Sequence, residues 1–97
     1  MFVYGIKDKK TNQFISAKSK GGKFYTRLKD AINKKGEYEG YDIVRCGLVL
    51  IPNNQKIKGN LYCYKSIYSN RLFFLKKKEW SDMEYKTYLI VEDGVVG

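Results

Sequence analysis

The alternation of apolar and polar residues divides the chain into short strand-like runs with one helical interruption. Residues 2–6 (FVYGI) are apolar and β-prone, residues 7–13 are polar around Thr11 and Asn12, and residues 14–17 resume strand character, which predicts a first hairpin. Gly21 and Gly22 read as a turn. The period then changes. Leu28, Ala31, Ile32 and Lys35 fall at i, i+3, i+4 and i+7, with Thr26 placed to cap the start of a helix and Gly36 placed to end it in a left-handed cap. So short a helix must be held by packing its apolar side chains on a sheet. Residues 41–51 (YDIVRCGLVLI) suit a central strand, stopped by Pro52, Asn53 and Asn54. Residues 61–67 and 72–77 predict a second hairpin turning at 68–71, and a last strand over 88–92 precedes Asp93 and Gly94.

These elements predict an α+β domain covering residues 1–97: one mostly antiparallel sheet of five or six strands with a single short helix over part of one face. The opposite face is then left to solvent, to binding or to dimerisation, and a sheet edge is a second place for a dimer contact. Aligning YDIVRCGLV (41–49) with YLIVEDGVV (88–96) matches Tyr, Ile, Val, Gly and Val in register. This suggests pseudo-repeat units 1–51 and 60–97, a degenerate ββαβ duplication whose second helix has shrunk to residues 80–83.

Composition narrows the function classes. At 43% hydrophobic and 15% aromatic residues the chain has enough large side chains to offset the entropy of ordering. No apolar run approaches the roughly 18–20 residues that cross a bilayer, and the start MFVYGIKDKK places its charges after its apolar stretch, the reverse of a signal peptide, so a cytoplasmic location is expected. Histidine is absent, which removes the usual general base near neutral pH and the Ser-His-Asp and Cys-His arrangements. Cys46 and Cys63 are too few for an all-cysteine zinc site and read as buried small hydrophobes. No phosphate-cradling glycine motif is present. The expectation is therefore a binding protein without catalytic residues, metal or cofactor.

The charge is +9, and it is segmented. Residues 7–35 hold ten basic and two acidic residues, and residues 56–78 hold seven basic residues and no acid. Residues 36–55 and 79–97 are net acidic. Sixteen of the nineteen basic residues are lysine, a mobile point charge without the fork that reads bases, so the pattern points to attraction of an anionic partner rather than base readout. In LYCYKSI, alternation sets Tyr62 and Tyr64 on one strand face, with Lys76, Lys77 and Lys78 on the partner strand, as in single-strand nucleic-acid binders. Tyr62, Tyr64, Arg71, Lys76, Lys77 and Lys78 are the first candidate binding residues. Lys7, Lys9, Lys10, Lys18, Lys20 and Lys23 of the first hairpin are the second set.

The opening MFVYGIKDKKTNQFIS, followed by FYTRLKDAINKKG and YDIV, resembles small accessory proteins of phages that infect low-GC bacteria. The likeness covers the first half, and the chain departs from the pattern beyond Pro52. The resemblance implies an anti-defence protein of the anti-CRISPR kind, a stoichiometric inhibitor of a host protein or nucleoprotein complex, acting in the host cytoplasm. Two alternatives stand beside it. One is a general single-stranded nucleic-acid binder contacting DNA or RNA through the basic hairpins. The other is a metal-free ribonuclease like the RelE class of toxins, although that class begins with helices and this chain with a hairpin.

Overall fold

The computed structural model describes residues 1–17, 21–22 and 24–96. Its strands are β1 (Phe2–Asp8), β2 (Ser16–Ala17), β3 (Gly21–Gly22), β4 (Phe24–Tyr25), β5 (Tyr41–Leu50), β6 (Tyr62–Ser66), β7 (Leu72–Phe73) and β8 (Tyr85–Val96), with one helix, α1 (Leu28–Lys35), between β4 and β5. A six-stranded antiparallel sheet runs in the order β4-β1-β5-β8-β6-β7, and β2 pairs with β3 as a separate ladder. The α+β class is thus observed.

Alternation along the strands assigns the two faces. Val3 lies opposite Cys46, Gly5 opposite Val44, and Cys63 opposite Tyr88. These positions share a face and build the main core of Val3, Phe24, Val44, Cys46, Cys63 and Ile90, with Phe14, Leu72 and Phe74 packed against it. Phe24 belongs to one edge strand and Phe74 follows the other, yet their rings lie 5.8 Å apart. The sheet therefore curls until side chains from its two ends meet over the core, with no ladder joining β4 to β7. Gly5 makes this possible, because a Cβ there would fall 2.5 Å from the Phe14 ring and 2.7 Å from the Phe24 ring.

The other face is covered at its two ends by different means. Over β1 and β5, α1 packs on Ile6 and Ile43, which pair with each other and are buried. Ala31 is fully buried and brings the helix close, while Ile32 is 52% exposed, so the apolar stripe is narrower than its spacing suggested. The helix ends also depart from expectation. Arg27, not Thr26, is the N-cap and makes no side-chain cap bond; it pairs with Asp30 instead. Gly36 has φ −56°, so the helix closes without a left-handed residue. Over β6 and β8, a 3-10 turn (Pro52–Asn54) is stapled down by Asn54. The Asn54 carboxamide accepts from the Thr87 backbone N–H (2.9 Å) and hydroxyl (3.0 Å) and donates to the Asp82 (3.0 Å) and Tyr85 (3.3 Å) carbonyls.

Four more expectations need correction. The first hairpin is reduced to a bridge between Lys7 and Phe14 and a bond from the Ile15 N–H to the Ile6 carbonyl, with Asn12 left-handed at its turn (φ 62°). Ser16–Ala17 turns away to pair with Gly21–Gly22, which is a strand and not a turn. β8 continues through Asp93 and Gly94, because Asp93 is the extra residue of a β-bulge: Arg45 faces Gly94 and Cys46 faces Glu92. Finally, β7 ends at Phe73, so Lys76, Lys77 and Lys78 are not on a strand.

Candidate functional site

The second hairpin forms through local side-chain bonds. The Ser66 hydroxyl accepts from the Tyr68 N–H (3.1 Å) and the Ser69 hydroxyl from the Arg71 N–H (3.0 Å), which sets the 68–71 turn. Tyr64 then faces Phe73 and Lys65 faces Leu72 before β7 stops. The chain leaves the sheet at Phe74, crosses the three lysines, and returns Trp80 beneath them. Tyr64, Phe73 and Tyr85 occupy the face opposite the main core, and Trp80 links them into a row of rings. Phe73 and Trp80 meet edge to face at 5.2 Å, Trp80 stacks on Tyr85 at 5.9 Å, and Tyr85 meets Tyr64 edge-on at 6.0 Å.

Four cations stand over this row. Arg71 lies 5.2 Å from the Phe73 centroid, and Lys77 lies 5.0 Å from Phe73 and 5.7 Å from Trp80. Lys76 lies 5.3 Å from Tyr85. Lys56 lies 5.1 Å from Tyr64 and donates to its hydroxyl at 2.8 Å. Each such contact contributes about 0.5–1 kcal/mol at exposed sites and steadies an otherwise mobile side chain without cancelling its charge. The Tyr85 hydroxyl donates to Asp82 (3.0 Å), and burial, followed by that carboxylate, pushes its pKa up, so it stays a neutral donor.

Of the first candidate set, Arg71, Lys76 and Lys77 are brought together here, and Lys78 is exposed beside them. The tyrosines behave differently from a stacking platform. Tyr64 is only 7% exposed, and the Tyr62 hydroxyl is tied to Ile57, accepting from its N–H at 2.7 Å and donating to its carbonyl at 3.2 Å. In the second set, Lys7 pairs with Glu92 and lies over Phe14, and Lys9 pairs with Asp42 at 3.5 Å. Lys10 is exposed, and Lys18, Lys20 and Lys23 lie outside the described residues. Sequence reasoning missed Lys56, Phe73, Trp80 and Tyr85. The signal available for Phe73 was its alternation opposite Tyr64; nothing local announced the return of Trp80.

Cys46 and Cys63 are free thiols, and burial pushes their pKa values up to about 11 and about 12, which leaves both protonated and inert at neutral pH. Among the described residues no group of three or more Cys, Asp or Glu is placed to hold a metal. No described helix is long and apolar enough to cross a membrane. Comparison with protein-family models, curated proteins and solved structures finds no match for this chain.

Proposed function

We propose that the chain is a stoichiometric binding protein that docks the basic end of its sheet onto a nucleoprotein of the host defence machinery and blocks its nucleic-acid contacts. The observation that carries this reading is the row Phe73, Trp80, Tyr85 and Tyr64 with Arg71, Lys77, Lys76 and Lys56 held over it. Cations propped on rings keep their charge and give up less freedom on meeting phosphates than lysines swinging free in water. Such a field also raises the encounter rate with an anionic partner. Because Tyr64 and Tyr85 are covered, the face suits phosphate contact better than base stacking, which favours docking on a nucleoprotein over general single-strand binding.

The test is retention of host complexes on the immobilised protein, with and without nuclease, beside an Arg71→Glu/Lys76→Glu/Lys77→Glu variant. The expected result is a nucleoprotein held by the wild type, released by the variant, and inactivated in a one-to-one titration. Retention of free nucleic acid alone would favour the general binder, and RNA shortened on prolonged incubation would favour the ribonuclease reading.

A further inference from the structure

Five ion pairs join described residues, and they are Lys7–Glu92, Lys9–Asp42, Arg27–Asp30, Lys34–Glu37 and Arg45–Asp93. Lys7 and Arg45, on β1 and β5, thus each have a carboxylate from β8. Lys65 and Lys86 break this rule. They are directly opposite each other on β6 and β8, and neither has a carboxylate within ion-pair distance among the described residues. Directly opposed side chains on neighbouring antiparallel strands have Cβ atoms roughly 4.5–5.5 Å apart, and like charges there destabilise the pair. Glu84 accepts from the Ser81 hydroxyl (3.1 Å) and Asp82 from the Tyr85 hydroxyl (3.0 Å).

This unfavourable pair lines a concavity. Lys65, Lys86 and Tyr88 form one wall, and the β6–β7 turn forms the other with Tyr68, Ser69 and Asn70. Lys65 is half-buried within it. Ser69 already accepts from Arg71, so its hydroxyl proton is free to be donated, and the Asn70 amide adds further donors. Two lysines lining one concavity, Lys65 half-buried and Lys86 exposed, with hydroxyl and amide donors beside them match a doubly charged tetrahedral anion. By strand alternation the concavity opens on the face opposite Tyr64, Phe73 and Tyr85, so it is separate from the row of rings. We infer that Lys65 and Lys86 form a binding site for a phosphate dianion, either a small phosphorylated ligand or the terminal phosphate of a nucleic acid.

Thermal unfolding at constant ionic strength, with inorganic phosphate as the probe, tests this. At a phosphate concentration about five times the dissociation constant, Tm should rise by roughly 4–8 °C. Lys86→Glu replaces repulsion with a cross-strand ion pair, so it should raise Tm without phosphate by roughly 2–6 °C and abolish the phosphate response. Lys65→Thr should also abolish the response, whereas Lys76→Gln/Lys77→Gln should keep it, which separates this site from the proposed docking surface. Parallel titrations with a nucleoside monophosphate and with a 5′-phosphorylated oligonucleotide against its 5′-hydroxyl form identify the source of the phosphate. An equal response in wild type and Lys86→Glu, no response in the wild type, or a lower Tm for Lys86→Glu would each overturn the assignment.

Discussion

The half of the sheet under the helix and the half without one carry similar basic blocks, and both set cations over rings, but only the first gives its described cations carboxylate partners. In the β4-β1-β5 half, the face away from the main core is covered by aliphatic packing of Ala31, Ile6 and Ile43, and Lys7, Lys9, Lys34 and Arg45 are matched to carboxylates. In the β8-β6-β7 half the cover is aromatic, and the cations stand over rings or face each other. No described ion pair uses a residue between 46 and 91. Among the described residues the cations of the two blocks therefore differ in whether a carboxylate sits beside them, and this is decided by where the acidic stretches fold. Glu37 and Asp42 lie beside the first block, and Glu92 near the end of β8 returns to it, whereas Asp82 and Glu84 bond to hydroxyls.

The contrast can be broken at several points. The largest effect is expected at Gly5, where the Phe14 and Phe24 rings leave no room for a side chain. Gly5→Val should cost about 3 kcal/mol or more in urea unfolding, whereas Gly47→Ala, which meets nothing within 4 Å, should cost less than about 1 kcal/mol. Next comes the core that both halves share. Cys46 and Cys63 stay protonated in the folded chain up to about pH 11 and about pH 12 but ionise near pH 9 once exposed. The unfolded chain then binds fewer protons, so the stability these thiols contribute is complete below about pH 9 and is lost as pH rises through their folded values. Urea midpoints at about pH 8.5, 9.5 and 10.5 should fall in that order, with a shallower fall in Cys63→Ala. In the helix-free half, Trp80→Ala removes the ring between Phe73 and Tyr85 and should cost about 2 kcal/mol while loosening Lys77. The smallest effect is expected from Lys9→Ala, which removes an exposed pair with Asp42 and should change stability by less than about 1 kcal/mol.

Strand alternation made the sheet legible, and the Tyr41–Leu50 strand and the Tyr64 face followed from it. What escaped were effects of chain return and long-range pairing. Asp93 and Gly94 look like a turn in isolation, but β5 supplies a partner on the far side and turns them into a bulge. Thr26 looks like a cap, but Arg27 starts the helix in its place, with its guanidinium on Asp30. The lysines at 76–78 were visible as charge, while the support of Lys76 by Tyr85 and of Lys77 by Trp80 depends on a loop closing over rings, which no local period encodes. The unpaired state of Lys65 and Lys86 likewise appears only when β6 and β8 are set side by side.

The most direct test of the difference between the halves is the salt dependence of binding to a single-stranded oligonucleotide by two variants that lose the same formal charge. Arg71→Gln/Lys76→Gln/Lys77→Gln should reduce the log–log slope by about 2, since each lost phosphate contact removes roughly 0.7. Lys7→Gln/Lys9→Gln/Lys34→Gln should change it by less than about 0.5, because those ammonium groups already face carboxylates. Equal losses from the two variants would contradict the account, since they would mean that formal charge alone, and not the way each half disposes of it, sets the attraction.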